Sequence, residues 1–227
     1  MKNKKFPAGT SVHFLYFLVL AAVLSGCIES APVPDEVKSS APGFGSSIRR
    51  PEGTPVSFPP GIKVVDSPHW DEHCADQSGK LVYGVGDVGF CIQFSNSFDT
   101  PVTVKIPAGA IFISDNTESP NGFIIKDLIT TIPAKSSQVL HLMTCSINQD
   151  RRARTTSFEA QPVLTNHYNI PELLSMLESK KINAADYDGG MPPAAISAIV
   201  QSAVYEVAHT GQLSFGSREK LLQLPDK

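Results

Sequence analysis

Between Leu81 and Ile147 apolar residues fall on every second position, and the alternation breaks at Pro, Gly and Asn. A two-residue period puts alternate side chains on opposite faces of an extended chain, so this stretch predicts sheet. The candidate strands are 80–84, 88–94, 102–106, 111–114, 123–126, 128–132 and 139–145. In the second, Phe90, Ile92 and Phe94 share one face and Cys91 and Gln93 the other; in the third, Val102, Val104 and Ile106 alternate with Thr103 and Lys105, a strand with one wet side. Turn residues separate the strands, as at Ser97-Phe98-Asp99-Thr100-Pro101 and Pro120-Asn121-Gly122. Seven short strands at this spacing predict an antiparallel β-sandwich-like core.

After Asn148 the period changes to that of a helix. Asn169-Ile170-Pro171-Glu172 is a start signal, and Leu173, Leu174 and Leu177 form a stripe that ends near Lys180-Lys181. The loop 186–193 carries Gly189-Gly190 and Pro192-Pro193. Residues 194–208 are the clearest helix, with Ile196, Ile199, Val200, Ala203, Val204 and Val207 on one face and Gly211 as its stop. A last short helix, capped by Ser217 and bearing Leu221 and Leu222, ends at Pro225. These stripes need a surface to cover, and the sheet supplies it, so the class expected is α+β.

The amino-terminal pattern is of another kind. Lys2, Lys4 and Lys5 precede an unbroken apolar run, Phe14 to Leu24, which as a helix is only ~16 Å long and too short to span a hydrocarbon core of ~30 Å. It reads as the core of a signal peptide. Leu24-Ser25-Gly26-Cys27 follows directly and resembles the lipobox of bacterial lipoproteins. That resemblance implies cleavage before Cys27, acylation of its thiol and anchoring in a membrane of the cell envelope. Ile28 rather than Asp follows the cysteine, which resembles lipoproteins sent to the outer membrane. Several acyl chains on one residue, each gaining ~0.8 kcal/mol per buried CH₂, make such an anchor effectively permanent.

Residues 28–60 then shift to Pro, Ser and Gly, as in Ala31-Pro32-Val33-Pro34 and Gly43-Phe44-Gly45-Ser46-Ser47. Such a composition buries too little apolar surface to offset its ordering entropy, and predicts a flexible tether. The expected organisation is a signal peptide over 1–26, a lipidated tether over 27–60, a β-sandwich-like part over 61–148 and a helical part over 149–227 packed on the sheet. The net charge of −3 gives no field pointing to nucleic acid. Arg151, Arg152 and Arg154 are the one basic cluster, in a stretch without apolar period, and read as a solvated loop.

Candidate chemistry is sparse. Ser67 as N-cap and Pro68 at the first helical position predict a short helix on which His69 and His73 lie at i, i+4, a spacing at which two imidazoles can share a metal. The pair lacks the glutamate of a zinc-protease helix and an evident third ligand, so no metal or other cofactor is assigned. With Cys27 lipidated, Cys74, Cys91 and Cys145 remain, an odd number for an oxidising compartment. Cys74 and Cys91 can close a loop worth ~3 kcal/mol on the chain-entropy model, though the other two pairings stay open.

Gln201-Ser202-Ala203-Val204-Tyr205 is similar to the Gln-x-Ala-aliphatic-aromatic stretch of bacterial surface thioester domains. That likeness implies an internal bond between Cys145 and Gln201, open to attack by a partner's amine. Val200 and Tyr205 depart from the Thr and Trp usual in that family. Ile106-Pro107-Ala108-Gly109 recurs as Ile132-Pro133-Ala134-Lys135, and both resemble strand-closing corners of bacterial immunoglobulin-like and cupredoxin-like domains. Copper is not implied, because no His-containing loop follows Cys145 and His141 lies inside a strand. No nucleophile elbow, phosphate loop or dinucleotide fingerprint is present. The expectation is a membrane-anchored envelope protein that binds a protein or glycan partner without catalysis.

Overall fold

A computed structural model describes residues 41–70, 74, 82–151, 157–188 and 192–227. All of them fall within one compact unit, Ser39–Lys227. The strands are β1 (Gly53–Pro55), β2 (Ile62–Val64), β3 (Val82–Gly84), β4 (Val88–Asn96), β5 (Val102–Ile106), β6 (Ala110–Phe112), β7 (Gly122–Phe123), β8 (Leu128–Ile132), β9 (Ser137–Ser146) and β10 (Val163–Thr165). The α-helices are α1 (Ile170–Leu177), α2 (Ala194–Thr210) and α3 (Phe215–Leu222), with a 3-10 turn at Ala184–Asp186 between α1 and α2. The class is therefore α+β with a mostly antiparallel sheet.

The main sheet runs β1-β10-β6-β7-β9-β4-β2, with β3 added parallel to β9, while β5 and β8 form a separate two-stranded ribbon. Register follows the alternation. Phe90 faces Leu142 and Ile92 faces Leu140 across β4 and β9, and Val104, Ile106, Leu128 and Ile132 of the ribbon point into the same core. The intervening residues Thr103, Lys105, Ile129 and Thr131 face outward.

A second core lies on the other side of the β6–β7 layer. Along the apolar run 110–113, Ala110 and Phe112 join the ribbon-side core, and Ile111 and Ile113 join the core under the helices. Such an uninterrupted run is what a strand covered on both faces requires. The helices close that second core with Leu173 and Leu177 from α1, Val200, Ala203, Val204 and Val207 from α2, and Leu221 from α3. Gly211 ends α2 in the left-handed region, at φ 77°.

Four expectations are corrected. The tether does not extend to residue 60: from Ala41 onward the chain is packed, with Phe44 only 1% exposed and β1 paired to β10. The physical reason is local. Gly43 and Gly45 take positive φ, a Cβ on Gly43 would stand 2.4 Å from Pro51 Cγ, and the tight loop so formed drives Phe44 into the helix-side core. The part 149–227 is not helical alone, because β10 pairs with β6 and β1 inside the main sheet. Residues 67–70 do not start a helix, because His69 exchanges backbone hydrogen bonds with Cys91 on β4 and bridges Ser157. The cap of α3 is Ser214, whose Oγ accepts from Ser217 N at 3.2 Å, so Ser217 lies one turn inside.

The repeated corners share one conformation. Gly109 and Lys135, the fourth residues of the two phrases, both have positive φ, at 91° and 46°. Lys135 accepts the cost of that region while its Nζ donates to Ser97 O at 2.7 Å and its N–H to Phe98 O at 2.9 Å.

Candidate functional site

Cys27 and His73 lie outside the described residues. The remaining sequence-predicted residues fall in two places. On the outer face of the main sheet the pairing register sets His69, Cys91 and His141 in one cross-strand row, and Cys91 is bonded to Cys74 with Cα atoms 5.5 Å apart. His69 Nδ1 donates to Ser67 O at 3.1 Å. Burial holds the His141 imidazole below its usual pKa, and its Nδ1 has no hydrogen-bond partner among the described residues. Among the described residues no three His, Cys, Asp or Glu side chains converge as metal ligands.

Cys145 and Gln201 meet the same stretch of β9 but use their groups on different partners. Cys145 is a buried free thiol that donates to Val85 O at 3.3 Å, and burial pushes its pKa well up. A thiol so placed stays protonated and is a poor nucleophile. Gln201 is 4% exposed, and its carboxamide makes two hydrogen bonds to the backbone of one residue: Oε1 accepts from Ser146 N at 3.0 Å and Nε2 donates to Ser146 O at 2.8 Å. The β4–β9 register stops at Val88 and Thr144, and two residues further the Gln201 side chain serves Ser146 as a neighbouring strand would. Helix position 201 thus finishes a strand.

Nearby, Asn148 Nδ2 donates to Gly43 O at 2.8 Å and Gly45 O at 3.1 Å, while its Oδ1 accepts from Asn121 N at 3.0 Å. Arg151, expected in a solvated loop, instead donates to Ser119 O at 3.3 Å and to Ser47 O. Arg152 and Arg154 lie outside the described residues. These contacts clamp 43–47 to the end of β9.

One side chain with altered chemistry was not among the expected ones. Lys126 lies beside a cleft of 240 Å³ lined also by Ala108, Ile125, Asp127, Leu174, Ser175 and Glu178. Its Nζ donates to Lys180 O, and Lys180 in turn donates to Leu222 O and Leu224 O at 2.8 and 3.0 Å. Burial, joined by the neighbouring Lys227 charge, lowers the Lys126 pKa to about 8 against the pull of Asp186 and Glu178. Burial alone would raise the Asp127 carboxyl, but Lys105 and the Ala108 amide outweigh it and hold it low. Sequence offered one signal for Lys126, a cation placed directly after the two-sided apolar stretch Phe123-Ile124-Ile125. A partly neutral amine can accept a proton or add to an electrophile, and the carboxylates of Asp127 and Glu178 and the hydroxyl of Ser175 line the same cleft. A second cleft of 410 Å³ runs between α2 and α3, lined by Ala198, Ile199, Ser202, Glu206, Ser217 and Lys220.

No family model, characterised protein or solved structure shows a significant match to this chain.

Two outcomes follow from this geometry. Gln201→Leu keeps the side-chain bulk and strands the Ser146 N–H and C=O, so the urea midpoint should fall by the equivalent of about 2–4 kcal/mol; an unchanged midpoint would show that the carboxamide is dispensable. Lys126 has a folded-state pKa below that of the unfolded chain, so the folded form releases its proton first and Tm should gain from this residue as pH rises from about 8 toward 10.5. Lys126→Met should remove that contribution, seen as a flatter Tm profile over this range, and identical profiles would refute the shift.

Proposed function

We propose that the chain is a lipid-anchored protein of a bacterial cell envelope whose folded unit is a non-catalytic binding or assembly module. The observation that carries this reading is Leu24-Ser25-Gly26-Cys27 behind a short apolar run, fourteen peptide steps ahead of Ala41, which is already packed. No helix of the described residues is long and apolar enough to cross a membrane, and the lipobox-like Leu24-Ser25-Gly26-Cys27 supports a covalent lipid as the attachment. Ile28 after the cysteine favours the outer membrane as its location. The inner face of the β5–β8 ribbon set against β4 and β9 supports an immunoglobulin-like sandwich reading of the core.

Binding is favoured over catalysis because the polar side chains brought together inside the fold hold the backbone. Gln201, Asn148 and Lys180 each bond to main-chain groups. The α2–α3 cleft, apolar at Ala198 and Ile199 and polar at Ser202, Glu206 and Lys220, is the surface we assign to an envelope protein or glycan partner. The engagement of Gln201 with Ser146 supports this reading over the thioester adhesin.

The test is a mass measurement on membranes of a bacterial host expressing the full chain. The amino-terminal peptide should begin at Cys27 and carry acyl chains, and the rest of the chain should show one disulfide without loss of ammonia from Gln201. Cys27→Ala should leave the protein uncleaved and without acyl groups. An unmodified Cys27 in the mature protein would refute the anchor, and a lost ammonia would restore the thioester.

A further inference from the structure

We infer that one end of the folded unit, the end where the tether enters, is a membrane-apposed surface that seats Ile48, Tyr168 and Phe215 at the lipid interface. The inference rests on the lipid-anchor reading and adds which face meets the bilayer. Three exposed apolar side chains gather around the carboxyl end of α2: Ile48 is 77% exposed, Tyr168 81% and Phe215 74%. Their proximity follows from contacts. Phe44 packs tilted against His167 with centroids 4.8 Å apart, and His167 lies parallel to Tyr168 at 5.2 Å. A Cβ built on Gly45 would stand 3.0 Å from Ala208 O, and one on Gly211 would stand 3.3 Å from the Tyr168 hydroxyl. Phe215 opens α3 four residues after Gly211, and Ile48 follows the turn in which Ser47 N donates to Phe44 O.

The occupant is argued from chain length and charge. Fourteen peptide steps from Cys27 to Ala41 cannot span more than ~50 Å, so an anchored Cys27 holds Ala41, and the surface beside it, within that reach of the bilayer. Exposed Arg49 stands beside Ile48, and a cation next to apolar and aromatic tips matches the chemistry of a phospholipid headgroup region. Tyr168 in particular presents an apolar ring with a polar tip, the form that settles at such an interface.

The experiment uses the full mature lipidated chain in vesicles of phosphatidylethanolamine and phosphatidylglycerol, with and without bromine on the acyl chains. Trp70 is the single tryptophan, so Trp70→Phe gives a dark background into which Tyr168→Trp or Phe215→Trp is placed as reporter. Ile129→Trp is the control, on the outward face of β8 beyond the ribbon-side core. Seating to a depth of ~5–10 Å should quench the reporters at 168 and 215 by about half or more and leave 129 unchanged. Vesicle-bound protein in which 168 and 215 are no more quenched than 129 would overturn the docking and leave the anchor standing. Protein that does not float with the vesicles at all would remove the anchor and the docking together. Quenching of neither reporter with the patch buried instead in a dimer, seen as cross-linking between Phe215→Cys copies, would assign the surface to a second copy and overturn the inference.

Discussion

A sheet layer covered on both faces has no side left for water, so every backbone group at its end needs a partner from within the protein. That constraint governs this fold. Around the end of β9, Asn121, Thr144, Ser146, Asn148 and Gln201 are all buried. Each is accounted for: Thr144 Oγ1 donates to Val88 O at 2.9 Å, Gln201 completes Ser146, and Asn148 reaches the carbonyls of Gly43 and Gly45. In a low-dielectric interior an unmet group of this kind costs more than a good bond gains, so these residues fix one arrangement of α2 and of segment 41–50 against the sheet.

The same constraint connects fold to anchorage. Because Asn148 takes its acceptors from Gly43 and Gly45, the chain ahead of β1 is part of the folded unit, and Phe44 fills the helix-side core beside it. Under the proposed lipid anchor, the link between Cys27 and the packed chain is therefore shorter than the composition of 28–60 implies, because Asn148 and Phe44 hold the segment from Ala41 onward in the folded unit.

Much of the fold was legible where period and burial agree. Val102–Ile106 and Leu128–Ile132 alternate cleanly because one face is wet, and their strands match the expected bounds. The α2 stripe Val200, Ala203, Val204 and Val207 is buried as its spacing predicted. The losses have physical causes. β1, β2 and β10 are three residues each, too short for a period to show, and β1 ends on a proline that suits only a strand edge. Phe44 was hidden by the glycines around it, which read as disorder by composition and act as a turn by conformation. Gln201 stood out only through its thioester-like neighbours, because helical spacing cannot show that a strand end waits opposite it. Lys126 was not legible as a shifted group, since its lowered pKa comes first from burial and then from Lys227, which is distant in sequence.

The claim that segment 41–58 belongs to the folded unit is tested most directly by limited proteolysis of the mature chain, with the amino terminus of the resistant core read by sequencing. The account predicts a core that retains Phe44 and β1 and starts no later than Ala41. A core that begins beyond Phe58 would show that segment 41–58 is not held, and would contradict both the clamp by Asn148 and the shorter link drawn from it.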